Sequence, residues 1–255
     1  TAPDYESPAD SDGDNVYEVQ IEASDGNGGA ATQALSITVD DLRSSGITFY
    51  GVYDRGDYWV SSAGDINNDG YDDIIIGDEN ADPVFSKAGQ SYVVFGKPTG
   101  HAASVDLSSL TGNDGFIING IGLGDLSGHS VSSAGDINND SFDDIIIAAP
   151  SAGKSYLVFG RSTGHSSPLD LSDLNGTNGF VISGIDALEF AGPVSSAGDI
   201  NGDTFDDILI GAPDSGRAYV VFGRPTGYAA NLELSTLNST DGFVINGDRG
   251  FRTGF

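Results

Sequence analysis

Asp65-Ile66-Asn67-Asn68-Asp69-Gly70-Tyr71-Asp72-Asp73 carries oxygen-bearing side chains at positions 1, 3, 5 and 9, with a glycine at position 6. Calcium takes about six to eight oxygens from carboxylates, amides, backbone carbonyls and water, and a sharp turn lets them converge. The reading takes side-chain oxygens from Asp65, Asn67, Asp69 and Asp73 and a backbone carbonyl from Tyr71. Alone, such a stretch reads as an ordinary turn, because Asp, Asn and Gly are common turn formers. It recurs, however, each time after Val-Ser-Ser-Ala-Gly. The second copy offers Asp136, Asn138, Asp140, Phe142 and Asp144, and the third Asp199, Asn201, Asp203, Phe205 and Asp207. About three calcium sites are therefore expected. Position 6 is Gly70, Ser141 and Thr204 in turn. If it needs a positive φ, a side chain there costs on the order of 1 kcal/mol, more for a β-branched one. The first site is expected to be the tightest and the third the weakest.

The elements that must hold these loops are strands. The runs Ile74–Ile76, Ile145–Ile147 and Ile208–Ile210 are short and unbroken, the pattern of strands covered on both faces. Around them recur Tyr-(Val/Leu)-Val-Phe-Gly and a Gly-Phe-(Ile/Val)-Ile-(Asn/Ser)-Gly stretch that starts at Gly115, Gly179 and Gly242. Phe95 lies 64 residues before Phe159, and Phe159 lies 63 before Phe222. Four strands in a unit of this length suit a blade of a β-propeller.

These repeats resemble FG-GAP repeats, the blades of integrin α-subunit propellers. Phe95-Gly96, Phe159-Gly160 and Phe222-Gly223 supply the FG, and Gly211-Ala212-Pro213 the GAP. Ala148-Ala149-Pro150 is close to that pattern and Gly77-Asp78-Glu79 is divergent. The resemblance implies calcium between adjacent strands of a blade, in an extracellular adhesive or structural protein. Such propellers commonly close with about seven blades. Here three complete repeats are followed by the start of a fourth at residues 241–247. Repeat arrays need their end faces covered. Either the chain is a piece of a longer polypeptide, or other chains cover the open faces.

Residues 1–43 read separately from 44–255. Tyr17, Val19, Ile21 and Ala23 alternate with polar residues, as do Leu35, Ile37 and Val39, around a turn at Asp25–Gly29. This hairpin, with Asp10–Asn15 before it, resembles the end of a bacterial cadherin-like repeat. The resemblance implies an extracellular sandwich with calcium at its ends, and points to a bacterial source. Asp12, Asp14 and Asp25 are either ligands there or solvated turn acids. A hairpin is marginal alone, so it is a natural donor of strands to a neighbour's sheet edge, which would build filaments.

With 38 acidic against 10 basic residues and a net charge of −28, the chain repels nucleic acid and anionic membranes. Three calcium ions would return only about +6 of that. No apolar run reaches the roughly 20 residues of a membrane span. Cysteine and methionine are absent, so metal rather than disulfide is expected to cross-link the fold.

No enzyme is expected. Three histidines without a carboxylate cluster make no zinc site, and no Gly-x-Ser-x-Gly elbow is present. Asp72-Asp73 invites a glycosidase reading, but its recurrence in every repeat marks it as structural, the second acid ligating and the first holding the loop. His101 and His165 occupy the position of Tyr228, which reads as packing; His129 is alone in a Ser/Gly loop. Arg55-Gly56-Asp57 reads as a chance tripeptide in Gly/Asp-rich sequence. Asn175 and Asn238 begin glycosylation sequons, as does Asn139 inside a loop. The fold expected is all-β, a cadherin-like hairpin before a partial FG-GAP propeller. The function expected is a calcium-stabilised structural or adhesion module. Its partners would be further blades, other copies of itself, or a glycan or cell-surface protein, with Tyr50, Tyr53, Tyr58 and Trp59 as the dense aromatic cluster.

Overall fold

The structure, a computed structural model, describes residues 16–24, 30–38, 48–50, 58–98, 104–163, 165–184 and 192–247. It divides into two compact units, Thr1–Thr48 and Phe49–Phe255. In the first, β1 (Val16–Ser24) and β2 (Ala30–Thr38) form an antiparallel hairpin with Val19 opposite Leu35. Asp12, Asp14 and Asp25 lie outside the described residues.

All sheet-forming segments of the second unit are short. β3 (Thr48–Tyr50) neighbours β7 (Ser104–Asp106) in a two-stranded ribbon. The first repeat folds into β4 (Tyr58–Gly64), β5 (Asp73–Asp78), β6 (Gln90–Val94) and β8 (Gly115–Asn119), an antiparallel meander. The second repeats it with β9 (Ser130–Gly135), β10 (Asp144–Ala149), β11 (Lys154–Val158) and β13 (Gly179–Ser183). The third does so with β14 (Val194–Gly198), β15 (Asp207–Ala212), β16 (Arg217–Val221) and β18 (Gly242–Asn246), so the stretch expected to start a fourth repeat instead supplies the last strand of the third sheet.

Sequence pattern suggests four strands per unit, but the first two sheets have five. β12 (Leu169–Asp170) joins β8 in parallel, and β17 (Asn231–Glu233) joins β13 in parallel. Each of these added strands comes from the next repeat and runs into a 3-10 turn whose leucine, Leu171 or Leu234, is buried.

The middle strands β5, β10 and β15 are covered on both faces, as their unbroken Ile runs require. One apolar core, containing Ile75, Val93, Phe116, Ile145 and Tyr156, joins the first and second sheets. Another, containing Ile146, Leu157, Phe180, Ile208 and Tyr219, joins the second and third. Ile66 belongs to the first core and Ile137 to the second, so each of these loops reaches into the packing. A register shift just before Gly64, Gly135 and Gly198 marks a bulge at each loop entrance, and bulges bend a strand end away from the ladder.

Candidate metal centres

In each loop the acid at position 1 accepts from the amides of positions 5 and 6, and in the third loop Gly202 adds a further bond to Asp199 Oδ1 at 2.7 Å. Asp65 Oδ1 accepts from Asp69 at 2.9 Å and Oδ2 from Gly70 at 2.8 Å. Asp136 does the same with Asp140 and Ser141 at 3.0 and 2.8 Å, and Asp199 with Asp203 and Thr204 at 3.0 and 2.9 Å. The amide oxygen at position 3 (Asn67, Asn138 or Asn201) accepts from the position 5 amide at 2.9 Å. The acid at position 5 (Asp69, Asp140 or Asp203) accepts from the amide of Tyr71, Phe142 or Phe205. The side-chain oxygens of positions 1, 3 and 5 are thus turned inward onto one stretch of backbone.

Position 6 has positive φ in all three loops: 91° at Gly70, 75° at Ser141 and 79° at Thr204. The expected strain is present in the second and third loops. Position 4 is left-handed too, at Asn68, Asn139 and Gly202, residue types that tolerate it.

The acid at position 9 is buried and faces backbone donors. Asp73 accepts from Ile66 at 3.0 Å with one oxygen and from Gly96 at 2.7 Å with the other. Asp144 bridges Ile137 and Gly160, and Asp207 bridges Ile200 and Gly223. This acid therefore ties the loop to the Phe-Gly turn. Glycine is required there, because a Cβ on Gly96, Gly160 or Gly223 would collide with the carbonyl of Asp72, Asp143 or Asp206. Desolvation pushes the Asp73 carboxyl up to about 7 against the pull of its two amides. The same cause raises Asp144 well above the usual range and raises Asp207.

In the second and third pairs the first acid acts on the repeat before its own. Asp143 Oδ2 accepts from the Asp65 amide at 2.7 Å, and the Asp143 amide donates to the Asp65 carbonyl at 3.2 Å. Asp206 holds Asp136 in the same way, at 2.9 and 3.3 Å. Recurrence of paired acids was the only sign of this in the sequence, and it could not say that the hold crosses repeats. The amides of Arg161 and Arg224 add bonds to the carbonyls of Ile66 and Ile137.

Among the described residues, no three Asp, Glu or His side chains gather into a ligand set by themselves. The donors of each loop are mixed: two carboxylates and an amide oxygen turned onto one turn of backbone, a position 7 carbonyl and a buried third acid. That set suits a hard, oxygen-seeking cation rather than a soft one.

Elsewhere, His165 is a packing residue. It is buried against the Phe116 ring, and Phe159 O lies 2.8 Å from its Nε2. Burial first, then Arg161, lowers its pKa to about 4. Tyr228 fills the same place in the next repeat, stacked on Phe180. His129, isolated in sequence, contacts Glu79 and the Trp59 ring. Trp59 and Tyr58 are exposed; the Tyr50 side chain, Tyr53, His101 and the Arg55-Gly56-Asp57 tripeptide lie outside the described residues. Asn175 and Asn238 are exposed, each accepting from the threonine two residues on.

FG-GAP repeats are recognised at residues 58–94, 127–164 and 191–226. The chain is 30% identical over 190 residues to integrin alpha pat-2 of Caenorhabditis elegans, a match covering 70% of this chain and 15% of that protein. It is 31% identical over 185 residues to integrin alpha-4 of Xenopus laevis, covering 70% and 16%. A bovine phosphatidylinositol-glycan-specific phospholipase D is 28% identical over 164 residues, covering 61% and 18%. The chain thus carries FG-GAP repeats homologous to those of integrin α propellers, and spans less than a fifth of the length of these three relatives. They are animal proteins, which overturns the expected bacterial source. That expectation hung on the likeness of residues 9–42 to a cadherin-like repeat, and the matches lie with the integrin-like repeats instead.

Proposed function

We propose that this chain is a calcium-stabilised, extracellular adhesion or structural module. In this reading the cadherin-like hairpin of residues 1–43 precedes a partial propeller at residues 44–255. The observation that carries it is the inward turn of the oxygens at positions 1, 3 and 5, repeated atom for atom in three loops. Asp65, Asn67, Asp69, Tyr71 and Asp73 would hold the first ion, and their counterparts the other two. When bound, calcium supplies positive charge among carboxylates that otherwise repel one another. Asp73, Asp144 and Asp207 then link each site to the Phe-Gly turn, so a filled loop stiffens the sheet behind it.

The buried acids set the pH dependence. Asp73 keeps its proton up to about pH 7 in the metal-free fold, whereas an unfolded Asp loses it near 4. Metal-free stability therefore falls as pH rises through that window. Only the ionised carboxylate can ligate, so calcium affinity should fall about tenfold between pH 8 and pH 6, with protons released on binding at pH 6. Calorimetry in two buffers of different ionisation heat measures both. Titrations without heat, with a melting temperature indifferent to calcium and EGTA, would sink the proposal.

A second reading, head-to-tail assembly with the hairpin added to a neighbour's sheet, is favoured by apolar surface on two sheets. Trp59 and Val60 are exposed on β4, and Phe243, Val244 and Ile245 on β18, whereas Phe116 and Phe180 are fully buried. Electron microscopy with calcium, with EGTA and after calcium add-back tests it; dispersed single particles in calcium would refute assembly.

A further inference from the structure

A basic residue follows the Phe-Gly of every repeat: Lys97, Arg161 and Arg224. In two repeats an acid 17 positions later meets it. Lys97 Nζ lies 3.3 Å from Asp114, and an Arg224 guanidinium nitrogen donates to Asp241 at 3.1 Å while the group sits over the Tyr228 ring. In the second repeat that position is Asn178, whose amide is spent on the backbone of Asp173 and Asn175. The Nε of Arg161 is buried without a partner, as is that of Arg224, but among the described residues the Arg161 guanidinium has no ion pair or hydrogen bond to match the one Arg224 makes with Asp241. An unmet buried donor on a charged group is costly unless something supplies the acceptor.

Arg161 lines a cavity of about 410 Å3 that also takes in Asn138 and Asp140 of the second loop, Thr177, Asn178 and Thr226. That volume lies within the range of small-ligand sites. A guanidinium matches a planar carboxylate through two parallel bonds. The neutral amides and hydroxyls around it suit a ligand rich in hydroxyl groups. All of the lining residues lie outside the strands, so no sheet edge is offered on which a peptide could add a strand. We propose that this cavity binds the carboxylate of an acidic sugar residue, with Arg161 as its anchor. Resting on the calcium reading above, a second claim follows. Asp140 repels the anion until its loop is filled, so sugar and calcium should strengthen each other's binding.

The test is calorimetry on the full chain with sodium glucuronate, with glucose as the neutral control, in calcium and in EGTA. Glucuronate should bind at least about tenfold tighter than glucose, and tighter in calcium than in EGTA. Arg161→Gln should remove the preference while leaving the calcium isotherm and melting temperature in place. Asn178→Asp, restoring the acid of the other repeats, should close the site and raise the melting temperature. Glucuronate no tighter than glucose, or indifferent to both variants, overturns the site. Equal binding in calcium and EGTA overturns only the coupling. A chain that takes up no calcium yet binds glucuronate through Arg161 overturns the calcium reading and leaves the sugar site standing.

Discussion

The first two loops and the third have the same sequence pattern and different surroundings. Asp65 and Asp136 each have their amide held by an acid of the next repeat, Asp143 or Asp206. Among the described residues nothing holds the Asp199 amide. A Cβ on Gly64 or Gly135 would collide with those same acids, while Gly198 faces open space. Ile66 and Ile137 are 1% and 2% exposed, and Ile200 is 49% exposed. A loop of this kind is therefore only partly specified by its own nine residues. Its backbone is finished by the repeat that follows.

The largest test of that contrast is apolar. Ile66→Ala and Ile137→Ala should each cost about 2–4 kcal/mol, and Ile200→Ala less than about 0.5 kcal/mol, read from denaturant midpoints. Equal losses at all three would erase the distinction. Next come the acids that cross repeats. Asp143→Ala and Asp206→Ala each strip the acceptor from a part-buried amide and should cost about 1–3 kcal/mol. Asp72, exposed and holding no described neighbour, should cost less than about 0.5 kcal/mol on the same change. The smallest effect sharpens the comparison within the loops. Thr204→Gly should relieve the positive φ of a β-branched residue and stabilise by about 1 kcal/mol, and Ser141→Gly by somewhat less. A loss on Thr204→Gly, measured by thermal melting, would mean that the side chain contributes more than its backbone costs.

Much of this was legible in the chain itself. Apolar runs such as Ile145–Ile147 announce strands buried on both sides, because no polar residue interrupts them. The need for a positive φ at position 6 could be read from Gly70 alone, and Ser141 and Thr204 obey it at a cost. The parallel fifth strands were not legible. Leu169–Asp170 is two residues long, and nothing in so short a piece declares which sheet it joins. The role of Asp143 was half visible: a repeated acid pair implies structure, but only the packing of one repeat on the next shows whose amide it holds. The unpaired Arg161 was hidden for a similar reason. Asn178 for Asp looks like a conservative change until the fold brings it to the same cavity as the Arg161 guanidinium.

The parallel strands also set an order of events in time. Asn119 of the first sheet bonds the Asp170 side chain, 51 residues further along, and Ser183 of the second bonds Glu233, 50 residues on. During synthesis a chain emerges from its N-terminal end and folds as it goes. Each of these two sheets must therefore wait, one edge bare, until most of the next repeat has left the ribosome. Such a protein cannot mature repeat by repeat. It closes behind itself, always one unit late, and its most vulnerable edge travels with the growing end.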